Sequence, residues 1–256
     1  MATYKKKDKI AKQLRKDQAK VNAESTTKEV FEGLDSGASK AEAWILKNQK
    51  SILVVIGVIL IGVLAYMAYM RFVQEPNEIK AANELAYPKN YFDQAQSNTV
   101  ATDSLYTLAL QGADGKYGFE GIVEKYGSTK AGNLAKYYAG ISYQKMGDYK
   151  KAIEYLDGFS SDDLMLDAEA KANIGDAFAN VDQVAEAFDY YEKAANDKPN
   201  NFTTPIYLNK AAEAAYKLGK YSKSVELFTR LKNEYPRSEF AQDIDGKINR
   251  SKFASK

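Results

Sequence analysis

The chain has no cysteine and no histidine. Without cysteine there is no disulfide, no thiolate metal site and no lipid anchor built on an N-terminal cysteine. Without histidine the commonest general base and the commonest zinc ligand are gone. Ser/Lys pairs or paired carboxylates would remain, but no spacing here suggests them. The sequence therefore predicts no catalytic residue, no cofactor and no metal, and the chain is not expected to be an enzyme.

Charge is missing from one stretch. Ile52 to Tyr69 reads ILVVIGVILIGVLAYMAY, and with Ser51 and Met70 the uncharged run reaches 20 residues. As a helix it extends about 30 Å, the thickness of a bilayer's hydrocarbon core. It is longer than the apolar stretch of a cleaved signal peptide, and 50 residues precede it, so an uncleaved signal anchor is expected. Trp44 before the run and Tyr66 and Tyr69 at its far end fit an interfacial aromatic belt against membrane lipid.

Four segments follow: a basic tail over residues 1–50, the span over 51–70, a juxtamembrane helix and elbow over 71–101, and a helical domain over 102–256. The tail carries 12 Lys/Arg against 7 Asp/Glu, and residues 71–256 carry 24 against 27. That asymmetry puts the N-terminus in the cytoplasm and the large domain across the membrane. In the tail, Ile10, Leu14 and Val21 fall at helical spacing, but three apolar residues bury little, and a solvated tail is the expected reading. Thr26 with Glu29, and Ser39 with Glu42, fit capping boxes. Beyond the span, Pro76 suits a helix start and Pro88 a helix break, predicting a helix over 77–86 and an elbow at Tyr87, Tyr91 and Phe92.

From about residue 102 the sequence repeats. YYAGISYQKMGDYKKAIEYLDGF, ANIGDAFANVDQVAEAFDYYEKA and NKAAEAAYKLGKYSKSVELFTRL align on Gly147, Asp182 and Gly219, at offsets of 35 and 37 residues. Seven residues before each anchor stands Gly140, Gly175 or Ala212. Five after stands Ala152, Ala187 or Ser224, and nine after Leu156, Tyr191 or Phe228. Small residues on both helices of a hairpin let the backbones approach, and large ones fill the space beside them. The anchor takes the turn, where φ is positive. One hairpin cannot bury its apolar face alone, so the hairpins must stack.

This pattern resembles the tetratricopeptide repeat. The predicted fold is an all-α solenoid of about three clear repeats plus a degenerate one over roughly 102–131, closed by a capping helix near 237–252. The aromatic usual early in the first helix is replaced by Lys136, Lys171 and Leu208, and Ser224 stands where alanine is normal. The resemblance places a concave protein-binding groove along the first helices, at Tyr137, Ile141, Gln144, Ala172, Asp176, Asn180, Asn209, Glu213 and Tyr216. These residues do not make the Lys/Asn clamp that some such repeats use for a C-terminal carboxylate. A mixed aromatic and acidic groove suits an extended peptide or a partner's helix, while a merely solvated face is equally open.

The order of parts, with STTKEVFEGLD and ASKAEAWILKNQK before the span and KAANELAYPKNYFDQA after it, is similar to YfgM-like ancillary subunits of the SecYEG translocon, in the form found in Bacteroidetes. That resemblance implies a single-pass protein of the bacterial inner membrane with a periplasmic repeat domain. The implied partners are SecYEG, a PpiD-like membrane-anchored peptidyl-prolyl isomerase and exported unfolded polypeptides, with no nucleic acid. The alternatives are a structural scaffold of a cell-envelope assembly and an accessory with its repeat domain in the cytoplasm.

Overall fold

A computed structural model describes residues 13, 15–18, 20, 44–97, 100 and 102–256. The tail pattern Ile10, Leu14 and Val21 and both predicted capping boxes lie outside the described residues. The chain divides into two compact units, Met1–Tyr69 and Met70–Lys256.

In the first unit, α1 covers residues 44–69. It lies in the one described helix long and apolar enough to cross a membrane, and its apolar side chains from Leu53 to Met67 are exposed.

The second unit opens on a π-helical turn, Met70–Gln74, followed by α2, Glu75–Ser97. Pro76 has no N–H to give the carbonyl four residues back, and the wider turn in front of it accommodates that loss. The predicted elbow at Tyr87, Tyr91 and Phe92 is not there: α2 runs unbroken through Pro88. Ala81, Leu85, Pro88, Phe92 and Ala95 are all buried, spaced four, three, four and three apart. That stripe packs against α3 (Thr102–Gln111), α4 (Phe119–Tyr126) and α5 (Lys130–Lys145). Its burial outweighs the one hydrogen bond that Pro88 removes. Phe92 sits at the centre, with edge-on contacts to Tyr106, Phe119 and Tyr138.

The hairpins follow. Helices α5 and α6 (Tyr149–Asp157) form the first, α7 (Leu164–Asn180) and α8 (Val184–Asn196) the second, and α9 (Thr204–Lys217) and α10 (Tyr221–Glu234) the third. Helices α3 and α4 occupy the place expected for the degenerate unit, but α3 packs chiefly against α2 and α4 against α5 rather than against each other. A 3-10 turn, Glu239–Ala241, stands where the capping helix was expected to begin, and the cap α11, Ile244–Ala254, starts seven residues later than expected and ends two residues beyond its expected end. Several helix starts are fixed by their caps. The Thr129 hydroxyl accepts from the Gly132 N–H, Asp148 from Lys151, and Asp163 from Met165 and Leu166.

All three anchors adopt the left-handed turn, with φ of 80° at Gly147, 60° at Asp182 and 72° at Gly219. The close approach is equally direct. A Cβ on Gly140 would meet Leu156 and the Ala152 carbonyl, and one on Gly175 would lie 2.7 Å from Tyr191 Cε1 and 3.2 Å from the Ala187 carbonyl. The small and large residues paired in the sequence alignment face each other across the first and second hairpins.

The departures from the repeat pattern have physical causes. Lys136 Nζ donates to the Gly158 carbonyl at the end of α6, and Lys171 Nζ reaches Asp197 at the end of α8. Each lysine ties the first helix of its hairpin to the C-terminal end of the second, favourable for a cation at that end of the dipole. Burial opposes the charge on Lys171, but hydrogen bonds to Asp167 and Asp197 raise its pKa overall. Leu208 is fully buried instead. Ser224 is buried with its hydroxyl 3.0 Å from that of Ser251 on the cap, and Ser251 also donates to the Lys247 carbonyl. The last repeat thus meets a partner that offers a hydroxyl, so serine replaces alanine there.

Candidate protein-interaction site

The first helices α5, α7 and α9 carry the residues assigned to a groove, and the repeat register distributes them unequally. Tyr137 and Ile141 on α5 are buried in the hydrophobic core. The Tyr137 ring packs 5.3 Å from Phe159, and its phenol is raised by burial, then by Glu169. Ala172 is buried as well. Gln144 is half-buried and donates to the Asn173 carbonyl of the next hairpin.

The acidic members are joined to the following unit. Asp176 on α7 binds Lys210 of α9 at 2.7 Å and accepts from the Tyr191 hydroxyl, also at 2.7 Å. Burial and then the Asp176 carboxylate raise the Tyr191 phenol. Asn180 stays exposed, donating to the Asp176 carbonyl one turn back. On α9, Asn209 accepts from Lys247 at 2.6 Å, and Glu213 accepts from Arg250 at 2.6 Å, both cations standing on the cap. The Arg250 guanidinium lies 4.2 Å over the Tyr216 ring.

The acidic groove expected from the sequence is thus a row of ion pairs, each linking one unit to the next. Lys210, Lys247 and Arg250 were missed when the face was read from its own helix positions. Their signal was available: Lys210 follows Asp176 by 34 residues and Arg250 follows Glu213 by 37, each about one repeat. A depression of about 360 Å³, open to solvent, lies between the second hairpin and α9, lined in part by Asp182, Val184, Asn209, Glu213 and Lys217. Such a surface can hydrogen-bond a peptide through Asn180, Asn209 and Gln144. It holds its carboxylates against internal cations.

The first hairpin has a parallel network on its other side. The Tyr143 hydroxyl donates to Glu120 of α4 and accepts from Lys151, and burial raises the neighbouring Tyr155 phenol to about 12. Trp44, Tyr66 and Tyr69 are exposed on α1. Trp44 and Tyr66 are 22 residues apart, about 33 Å along a helix.

A tetratricopeptide repeat profile matches residues 134–162 and 210–238, which fall on the first and third hairpins. Among solved structures, the chain is similar to TPR-like repeats attributed to a kinesin light chain of Podosopora anserina. Identity is 15%, with 68% of this chain and 86% of that one covered, at a TM-score of 0.45. A point variant of the same repeats gives 14% identity, the same coverage and the same TM-score. No curated protein sequence matches the chain. The fold is a tetratricopeptide-repeat solenoid, an architecture whose general use is protein–protein interaction rather than catalysis.

Proposed function

We propose that this chain is a non-catalytic, single-pass membrane protein. It displays its repeat solenoid on the far side of a bacterial inner membrane and works there as an ancillary subunit of the SecYEG translocon. The observation that carries the reading is the pairing of two parts in one chain: a helix apolar enough to cross a membrane and, after it, a stack of repeat hairpins built to bind polypeptide. The finer assignment rests on the segments around the span, residues 25–35, 38–50 and 80–95, and on the order of the parts. Charge asymmetry supports a cytoplasmic N-terminus and a periplasmic domain. The direct partners would be SecYEG and a PpiD-like isomerase, with exported polypeptides as clients. The exposed Asn180 with the half-buried Gln144, Asn209 and Tyr216 is the contact surface in this reading.

Crosslinking in intact cells followed by mass spectrometry tests it. Capture of SecY together with nascent exported chains supports the translocon role. Capture of a single fixed envelope protein, with SecY absent, refutes that role and favours a structural scaffold.

A further inference from the structure

We propose that Glu169 on α7, with the phenols of Tyr137 on α5 and Tyr207 on α9 beside it, forms a subsite for a lysine or arginine side chain of a bound polypeptide. The proposal rests on the reading of the first-helix face as the polypeptide contact surface, and it assigns that surface a partner chemistry.

Glu169 and Asp176 stand seven residues apart on α7, two turns along one face. Their surroundings differ. Asp176 is neutralised from within the repeats: Lys210 Nζ lies 2.7 Å from both of its oxygens and also over the Tyr191 ring. Glu213 on α9 is matched by Lys247 and Arg250, and Asp167 at the start of α7 by Lys171. Glu169 is exposed and forms no ion pair with a lysine or arginine among the described residues.

The second observation is Tyr207. It is only 7% exposed and belongs to the same hydrophobic cluster as Ala172, which lies between Glu169 and Asp176 on α7. Burial raises its phenol, and the Glu169 and Asp176 carboxylates raise it further, so the hydroxyl points between them. The Tyr191 hydroxyl is bonded to Asp176, whereas that of Tyr207 has no hydrogen-bond partner among the described residues. No fully buried side-chain oxygen among those residues is left unsatisfied, so the Tyr207 hydroxyl opens to the groove rather than to a sealed void. A phenol largely stripped of water, with no protein partner, is set for a ligand that brings one. On the α5 side of Glu169 stands Tyr137, also buried, its phenol raised by burial and then by that carboxylate.

These groups select the occupant. The carboxylate only accepts, and the phenol oxygens can accept beside it, so the ligand must donate and carry positive charge. A metal ion does not fit, because no group of three or more carboxylates able to hold one occurs among the described residues. An ammonium or guanidinium on a flexible stem can pair with Glu169, donate to the Tyr207 oxygen and lay its methylenes along the rings.

The test uses the full chain in detergent and nine-residue peptides of serine, threonine and valine. Each has a central lysine, arginine, norleucine or glutamate and a neutral fluorophore read by anisotropy. The lysine and arginine peptides should bind at least about fivefold more tightly than the norleucine peptide at about 50 mM salt, with the gap narrowing at about 500 mM. Glu169→Gln should abolish that preference without changing norleucine-peptide affinity, which reports an intact fold. Tyr207→Phe should at least halve it. Glu186→Gln removes the same charge from an exposed position on α8 and should preserve it. Equal affinity for the lysine, arginine and norleucine peptides, or tightest binding of the glutamate peptide, overturns the inference alone. So does a preference that survives Glu169→Gln or ignores Tyr207→Phe. Binding of none of the four peptides overturns the contact-surface reading, and the inference falls with it.

Discussion

Gly175 offers the sharpest test of how the hairpins are held. Replacing it with alanine puts a methyl group 2.7 and 2.8 Å from two carbons of the Tyr191 ring and 3.2 Å from the Ala187 carbonyl. The ring cannot swing aside freely, because its hydroxyl is bonded to Asp176, which is itself paired with Lys210. Overpacking of this kind costs about 1–3 kcal/mol. Alanine returns about 1 kcal/mol of helix propensity over glycine. The net expectation is a loss of about 1 kcal/mol. For Gly175→Val the propensity gain roughly halves and two more methyl groups must fit, so the loss rises to about 3 kcal/mol. Gly246 on α11 is the control, since a Cβ there meets nothing within 4 Å. Gly246→Ala should stabilise by up to about 1 kcal/mol. Urea unfolding of the full chain in detergent, followed by circular dichroism, gives both signs on one scale. If Gly175→Ala stabilises as much as Gly246→Ala, the close helix–helix approach argued for the second hairpin is wrong.

At Gly147, where φ is 80° and a side chain would meet nothing, only the left-handed conformation penalises substitution. Gly147→Ala should therefore destabilise by about 1 kcal/mol in the same urea assay, and Gly147→Asp by less, since Asp182 fills the equivalent turn. The Ser224–Ser251 pair should respond unequally. Ser251→Ala strands a buried hydroxyl and should cost about 1–3 kcal/mol, whereas Ser224→Ala leaves Ser251 bonded to the Lys247 carbonyl and should cost less. Equal losses would contradict that hydrogen-bond order. Burial raises the phenols of Tyr137, Tyr191 and Tyr207. A raised folded-state pKa favours folding fully below the unfolded value, about 10, and that stability is lost as pH rises above it toward the folded value. Urea midpoints should hold flat to about pH 10 and then fall, with tyrosinate absorbance from these rings appearing only on unfolding. Normal titration of all tyrosines in the folded chain would refute their burial.

The repeats were legible because their spacing encodes a steric requirement. Gly140 against Leu156 and Gly175 against Tyr191 are contacts that only small residues permit, and the turns at Gly147, Asp182 and Gly219 need residues that accept positive φ. The course of α2 was not legible, because Pro88 is a local signal and the stripe that overrides it acquires meaning only when α3 and α5 are present to bury it. The placement of the residues assigned to a groove was half legible. The register put Asn180, Asn209, Glu213 and Tyr216 on α7 and α9, but Tyr137 and Ile141 are drawn into the core where neighbouring hairpins meet. The cations facing Asp176 and Glu213 come from the next unit along, so no single helix reveals them.

The measurement closest to the account's centre is the side of the membrane on which the solenoid lies. Asp182→Cys in the otherwise cysteine-free chain gives an exposed thiol on a repeat turn. With the outer membrane opened and the inner membrane intact, a membrane-impermeant maleimide should label it fully. Labelling only after the inner membrane is broken would place the repeats in the cytoplasm and contradict the account.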